Sequence, residues 1–201
     1  MLPTRQQAEA LLREAESCNP GPWGNHSRTA AHCAEGIAQA CGLDAEKAYI
    51  LALLHDIGRK FGVRHLGHVS DGYSYMLSLG YDKAARICLT HSFPRGKIED
   101  YIGRFDTTPE EQALIENALR AVHMDEYDRL VQLCDALAGA EGVMDIEARM
   151  DDIQRRYGCY PSEKRTENRA LKQHFEEIAG RDIYDITDKA HFKPSGGPPN
   201  A

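Results

Sequence analysis

The chain has 201 residues, of which 42% are hydrophobic and 27% are charged, and its formal net charge is −7 at pH 7. This composition is typical of a globular protein with its own core, and the negative charge argues against a nucleic-acid platform, which normally carries a basic face. No apolar run approaches the ~20 residues of a membrane-spanning helix, and the polar N-terminal residues do not resemble a signal peptide. We therefore expect a cytoplasmic protein with neither a nucleic-acid nor a membrane partner; its oligomeric state is left open.

The first two predicted helices are separated by a loop rich in Pro and Gly. Thr4 and Gln7 form a capping-box pattern, which predicts a first helix over the residues that follow. The loop covers residues 19–24, and Asn25 is predicted to cap a second helix that begins with His26. The side chain of His26 falls on the apolar face of this helix, so we expect it to point inward.

A third predicted helix places two polar residues at the end of an apolar run. Asp44 is predicted to cap it, and residues 49–54 are all apolar or aromatic, which indicates a helix buried on nearly all sides. His55 and Asp56 follow directly, and Gly58 is predicted to end the helix. A buried carboxylate and imidazole need partners, because burying an unpaired charge is costly. One metal ion at the helix edge could contact both side chains.

Two further helical patterns each carry a histidine at one end. His68 begins the first, whose apolar stripe includes Leu77, and Asp82 begins the second, which ends at His91. Asp71 lies one turn after His68, where it could orient the imidazole as a hydrogen-bond acceptor or lie on a solvated face.

The C-terminal half continues the helical pattern. Thr108, Pro109 and Glu111 together form a strong helix start. A later helix within residues 125–139 has an apolar pattern that a single acid, Asp135, interrupts. No stretch shows the alternation of a strand, so the sequence predicts an all-α helical bundle of roughly eight to ten helices.

The remaining residues add two helices and a tail. Helices are predicted near 143–157 and 163–179, the second capped by Ser162. We expect residues 1–192 to form a single domain, and the Pro- and Gly-rich tail, 193–201, to be disordered.

The series of His26, the pair His55 and Asp56, and Asp135, with the motif LLHDIG at its centre, resembles the HD-domain superfamily of metal-dependent phosphohydrolases. The resemblance covers about residues 25–139. It implies an enzyme that cleaves a phosphoester or phosphoanhydride of a nucleotide or similar small molecule with a metal-held hydroxide. His68 at the start of one predicted helix and His91 at the end of the next give a layout most similar to that of the bacterial HD proteins that hydrolyse diadenosine tetraphosphate.

The resemblance also implies a binuclear metal site. The first metal would take His26, His55, Asp56 and Asp135, and the second His68, His91 and a bridging oxygen of Asp56. A set of imidazoles and carboxylates without thiolate suits Fe, Mn, Co, Ni or Zn better than Mg or Ca. One or two such divalent ions are therefore the expected cofactors, and the expected partner is a small phosphorylated substrate.

Basic residues that follow the His55–Asp56 pair or His91 are candidates for holding a phosphate, since Arg presents a bidentate fork to phosphate oxygens. His65 could contact the substrate or take the place of His68 as a ligand. The predicted substrate contacts are Arg59, Arg64, His65 and Arg95, and the predicted catalytic residues are Asp56, Arg59 and Lys60.

Two alternatives to hydrolysis are left open by the sequence. One is a catalytically idle HD domain that binds a nucleotide as a regulatory module, although such a domain has usually lost a ligand. The other is a di-iron HD oxygenase, because a few proteins of the superfamily use the same scaffold for oxidative chemistry.

Overall fold

The structure, a computed structural model, describes residues 1–187, and among these it contains ten α-helices and no strand. The all-α prediction is therefore confirmed. The helices are α1 (Arg5–Cys18), α2 (Trp23–Ala40), α3 (Ala45–Leu53), α4 (Gly67–Ser78), α5 (Asp82–Thr90), α6 (Pro109–Ala121), α7 (Glu126–Leu137), α8 (Ile146–Tyr157), α9 (Ser162–Ala179) and α10 (Ile183–Thr187). Short 3₁₀ helices cover Ile57–Phe61 and Ile98–Asp100. The predicted disordered tail, 193–201, lies outside the described residues.

Three of the predicted helix caps are confirmed. Thr4 and Thr108 each accept a hydrogen bond from the third residue of their helix, and both helices carry the full capping box. Asp44 caps α3 by accepting a hydrogen bond from the backbone N–H of Lys47 at 3.0 Å. These caps depend on residues three positions apart, so the local sequence is sufficient to predict them.

Two predicted caps are wrong. α2 begins at Trp23 instead of His26, because the Trp23 indole is buried and donates a hydrogen bond to the Asn19 carbonyl at 2.8 Å. Asn25 therefore lies inside the first turn of α2. α9 begins at Ser162 itself, and the Ser162 hydroxyl contacts the Glu163 carboxylate instead of a backbone N–H.

The centre of the molecule is formed by α2, α3 and α7, which pack against one another. Every residue of α3 from Ala48 to Leu53 is buried, as its apolar sequence predicts. A smaller apolar cluster, which includes Leu66, Phe93 and Ile115, joins α4, α5 and α6. Within residues 1–187, no helix is both long and apolar enough to cross a membrane.

The chain leaves α3 earlier than predicted, and Gly58 does not end that helix. α3 ends at Leu53, and His55 and Asp56 lie in the turn between it and the 3₁₀ helix that contains Gly58. A Cβ atom on Gly58 would lie 2.0 Å from the His68 carbonyl oxygen and 2.5 Å from the Gly72 nitrogen. Glycine is therefore needed here because the 3₁₀ helix approaches the backbone of α4 closely.

α4 is buried all round in its first turn but on one face only toward its C-terminal end. Val69 and Met76 are buried, but Leu77, predicted to belong to the same apolar stripe, is 43% exposed. Successive residues on a helix point about 100° apart, so a helix that packs along one narrow face turns the neighbour of Met76 toward solvent.

Candidate metal centre

Six side chains from five parts of the fold point toward one site. His26 comes from the first turns of α2, and Asp135 comes from α7. His55 and Asp56 occupy the turn after α3. The other two lie at helix ends: His68 in the first turn of α4 and His91 just after α5.

The first cluster consists of His26, His55 and Asp135. The His26 Nε2 atom lies 3.0 Å from Asp135 Oδ1 and 3.2 Å from His55 Nε2. His55 Nε2 lies 3.8 Å from the same Asp135 oxygen. The three donor atoms thus surround a single point, as the ligands of one ion do.

The second cluster consists of Asp56, His68 and His91. Asp56 Oδ1 lies 3.0 Å from His68 Nε2 and 3.6 Å from His91 Nε2, and the two imidazole nitrogens are 3.3 Å apart. All three side chains are buried. These donor atoms also surround a single point.

Asp56 connects the two clusters. Its Oδ1 atom faces His68 and His91, while its Oδ2 atom lies 3.9 Å from the Nε2 atom of His55. The rings of His55 and His91 are in edge-to-face contact, with centroids 5.1 Å apart. The clusters are therefore adjacent, and one carboxylate offers an oxygen to each.

Backbone carbonyls determine the tautomer of all four imidazoles. Each Nδ1 atom lies against a carbonyl oxygen, which can only accept, so Nδ1 carries the ring proton. The pairs are His26 with Ala138 at 3.0 Å, His55 with Ala52 at 2.6 Å, His68 with His65, and His91 with Cys88 at 2.9 Å. Each Nε2 atom consequently presents a lone pair to its cluster.

The Nε2 atoms of His26 and His55 are 3.2 Å apart, and those of His68 and His91 are 3.3 Å apart. Two lone pairs that face each other at such a distance need a cation between them. Burial lowers the pKa of His55, and burial together with the nearby His55 lowers the pKa of His91 to about 3, so these rings do not gain a second proton near neutral pH. Ligands held at ~2.0–2.1 Å from an ion are about 3.0–3.4 Å apart at ordinary coordination angles. Most donor separations here lie in or close to that range, so the residues fit divalent metal ions.

Both carboxylates of the site are ionised. Burial opposes ionisation of Asp135, but the adjacent imidazole of His26 holds its pKa below the usual range. Burial also opposes ionisation of Asp56, whose pKa is nevertheless lowered well below the ordinary value by Arg59, His68 and His55. The centre therefore combines two carboxylates with four imidazoles, which is a suitable set for borderline divalent metals.

The backbone around His91 is held from both sides. The Gln132 side-chain N–H donates to the Thr90 carbonyl at 3.0 Å, and the Lys164 ammonium donates to the Ser92 carbonyl at 2.9 Å. The Thr90 hydroxyl donates to the buried carboxylate of Asp128 at 2.7 Å. These contacts fix the position of His91 relative to the other ligands.

The two clusters adjoin a cavity of about 360 Å³. Five of the six clustered side chains line it, and its remaining walls combine cations with aromatic rings. The cations are Arg59, Arg149, Arg156 and Lys164, and the rings are Trp23, Tyr101, Tyr157 and Tyr160. This size and lining suit a small anionic ligand with an apolar part.

Arg59 is the one predicted substrate residue that the structure places on this cavity. Its Nε atom donates to Asp56 Oδ2 at 2.5 Å, and its side chain remains one-third exposed. It can therefore hold Asp56 in position while its remaining N–H groups face the cavity.

Lys60 and Arg95, two other predicted basic contacts, do not line the cavity, and each is paired with an acid away from it. Lys60 donates to Glu14 at 2.8 Å, and Arg95 donates to Asp100 at 2.7 Å. The catalytic role predicted for Lys60 and the substrate contact predicted for Arg95 therefore have no support in the geometry.

Arg64, His65 and Asp71 also lie off the cavity lining. Arg64 forms ion pairs with Asp71 at 2.8 Å and with Glu111 at 2.9 Å. Asp71 therefore does not orient His68, whose Nδ1 atom faces the His65 carbonyl. The His65 imidazole contacts Arg104 at 2.9 Å, so it does not replace His68 as a ligand.

Several residues of the cavity were not predicted, notably Gln132, Arg149 and Lys164. Gln132 is 3% exposed, and its Oε1 atom is buried without a hydrogen-bond partner among the described residues. One signal could have indicated the α8 wall: Arg149, Ile153, Arg156 and Tyr157 recur at helical spacing, which puts basic and aromatic residues on one face.

The comparisons with known proteins agree with this geometry. No curated protein and no solved structure matches the chain significantly. The family model described as HD domain matches residues 23–140, which is more than half of the chain and includes all six clustered side chains. This protein therefore belongs to the HD-domain family.

Proposed function

We propose that this HD-domain protein is a metal-dependent phosphohydrolase that cleaves a phosphoester or phosphoanhydride bond in a nucleotide or a similar small molecule. The observation that carries the proposal is the pair of facing clusters that share Asp56, with every imidazole held in the tautomer that presents its Nε2 lone pair. The cationic and aromatic cavity above them supports an anionic substrate.

The residues divide into two ligand sets. His26, His55 and Asp135 would hold one divalent ion, His68 and His91 would hold the other, and Asp56 would contribute to both. Fe, Mn, Co, Ni and Zn all suit these donors. When bound, such a pair of ions makes water nucleophilic near neutral pH and compensates the charge of phosphate oxygens during in-line attack.

Arg59 has two tasks in this proposal. Its Nε contact keeps the Asp56 carboxylate oriented between the two clusters. Because the guanidinium is planar with five donors, the N–H groups not used by Asp56 can contact a phosphate oxygen of the substrate. Loss of Arg59 should therefore weaken substrate binding more than metal binding.

A thiol nucleophile has little support. Cys88 and Cys134 are fully buried near the metal centre, and burial raises the pKa of both thiols, so they remain protonated. Neither lines the cavity. A reaction that begins from water suits these surroundings better than one that forms a covalent intermediate on the protein.

The test begins with elemental analysis of the purified protein, followed by a hydrolysis screen of metal-free and metal-reconstituted samples. Mononucleotides, dinucleoside polyphosphates and cyclic dinucleotides are suitable substrates. Asp56→Ala should lose both bound metal and turnover, because Asp56 alone faces both clusters. Asp185→Ala, at an exposed carboxylate of α10, is the matched control and should behave like the parent.

Three results would contradict the proposal. Near-parental metal content and rate in Asp56→Ala would exclude the two-metal arrangement. Tight nucleotide binding without hydrolysis in any metal form would favour a regulatory module. Turnover that consumes dioxygen, with iron as the bound metal, would favour an oxygenase.

A further inference from the structure

The wall of the cavity opposite the HD motif is built by residues outside the family match. The match ends at residue 140, whereas α8 and α9 begin at Ile146 and Ser162. The cavity residues they carry include Arg149, Arg156 and Lys164. The family resemblance therefore does not explain these three cations.

Lys164 has an unused hydrogen-bond donor. Its ammonium donates to the Ser92 carbonyl at 2.9 Å and to the Asp100 carbonyl at 3.0 Å, and it forms no ion pair within residues 1–187. An ammonium group has three N–H donors, so one remains for a ligand in the cavity. The groups in direct contact with the Lys164 ammonium are thus neutral carbonyls, and its charge is attracted by Asp135 and Asp100 without a direct ion pair.

Arg149 has even fewer partners. Its side chain is 17% exposed, and its nearest carboxylate, Asp152, lies 3.8 Å away. Asp152 already accepts from Arg156 at 2.9 Å and from Arg155 at 3.3 Å. The Nε atom of Arg149 is buried and has no hydrogen-bond partner in the described part of the chain.

A buried guanidinium Nε atom without a partner is uncommon and requires a reason, since burying an unpaired donor costs free energy. Other arginines of the same region show the ordinary arrangement. Arg165 and Arg169 on α9 both donate to the Glu147 carboxylate, at 3.0 and 2.6 Å. In this region an arginine therefore normally pairs with a nearby carboxylate. Arg149, which lines the cavity, is the exception.

We infer that Arg149 and Lys164 form an anion subsite, which binds a phosphate-like group of the substrate other than the group that reacts at the metal centre. Both cations line the same cavity, and phosphate oxygens match the guanidinium fork and the ammonium donor. The inference rests on the proposed function in one respect, namely that the reacting group lies at the clusters. Substrates with two linked phosphate groups should thus bind better than those with one.

Lys164 also has a structural contribution, because it joins the backbone after His91 to the loop at Asp100. A merely structural role would affect stability without changing the preference between anions. Lys164→Met keeps most of the side-chain length but removes the charge, and Arg149→Gln keeps a polar side chain. The control is Arg155→Gln on the same helix, whose side chain is 73% exposed and does not line the cavity.

The experiment is calorimetric titration of the metal-loaded full chain with inorganic pyrophosphate and, separately, with orthophosphate. The parent should bind pyrophosphate more tightly. Arg149→Gln and Lys164→Met should each weaken pyrophosphate binding by about 10-fold or more, as loss of one charge-assisted hydrogen bond implies, and should weaken orthophosphate binding much less. Arg155→Gln should bind both anions as the parent does, and all variants should retain the parent's metal content.

The inference is overturned if Arg149→Gln binds pyrophosphate like the parent, or if both anions weaken equally. Should Lys164→Met fold poorly, Arg149→Gln decides the question alone, because Arg149 has no close structural partner. If the preference for pyrophosphate depends on Arg149 but the parent hydrolyses no substrate, the anion subsite is supported and the proposed hydrolase activity is refuted. If instead the parent hydrolyses nucleotides but the variants prefer pyrophosphate as strongly as the parent does, the proposed function stands and the anion subsite is refuted.

Discussion

The close approach between Gly58 and α4 makes the metal centre sensitive to a single methyl group. We expect Gly58→Ala to destabilise the protein and to disturb the second cluster in particular. The added Cβ atom would lie 2.0 Å from the His68 carbonyl oxygen and 2.5 Å from the Gly72 nitrogen. Both are backbone atoms of α4, so no side chain can rotate away to make room.

The displacement follows from these distances. Ordinary contact of a Cβ atom begins at 3.4 Å, so the 3₁₀ helix and α4 must separate by more than 1 Å. His68 Nε2 now lies 3.0 Å from Asp56 Oδ1, and a shift of that size would remove it from ligand distance. Overpacking of this kind costs about 1–3 kcal/mol, and a misplacement near 1 Å can reduce activity roughly 10²-fold.

The assay combines thermal unfolding, bound-metal analysis and turnover. For a chain of this length, the expected destabilisation corresponds to a decrease in Tm of roughly 2–12 °C. Gly36→Ala in α2 is the matched control, because a Cβ atom there would meet Ile186 of α10 at an ordinary contact distance of 3.4 Å. Alanine favours a helix interior by up to about 1 kcal/mol over glycine, so the control should be as stable as the parent or more so.

Unchanged Tm and full metal content in Gly58→Ala would refute this reasoning. Loss of stability with both metals retained would show that α4 moves without carrying His68, and that the second cluster tolerates the shift.

The other predictions concern the metals and pH. His26→Ala and His68→Ala each remove a donor from one cluster only, so elemental analysis should show bound metal falling toward one equivalent in either; complete loss of metal in both would indicate a single site. Removal of metal by a chelator should lower Tm, and added divalent ion should restore it, because ligands that bind only the folded state stabilise it. Metal-free protein should lose stability as pH falls below about 6.5, since the pKa of His91 is about 3 in the folded state and ordinary in the unfolded state, which therefore binds the extra proton. The slope should be at most about 1.4 kcal/mol per pH unit for each such histidine, and urea unfolding at a series of pH values measures it.

Local sequence was sufficient wherever the controlling residues are neighbours. The capping boxes at Thr4 and Thr108 and the buried run of α3 were predicted because their signals lie within one or two helical turns. The start of α2 was not, because it is decided by burial of Trp23 and its bond to Asn19. The role of Gly58 was also misassigned, since the atoms it must avoid belong to α4.

The surroundings of the charged candidates could not be read from the sequence for a related reason. Arg64 and Arg95 were candidates because they follow the histidines in sequence, but Glu111 and Asp100 neutralise them. A long cationic side chain pairs with whichever acid the fold brings within reach, and proximity in sequence to a ligand says little about that. Arg149 and Lys164 show the converse, because the fold leaves them without such acids on the wall of the cavity.

The sequence by itself determined that this chain is an all-α protein with four polar side chains, those of His26, His55, Asp56 and Asp135, interrupting its apolar helical patterns. Helix periodicity and the cost of burying unpaired His and Asp residues require no knowledge of the fold. Only the tertiary structure decided that these four side chains join His68 and His91 in two adjacent clusters sharing Asp56, and that α8 and α9 contribute to the wall of the adjoining cavity. Those features depend on contacts between residues up to about a hundred positions apart, which no local pattern records.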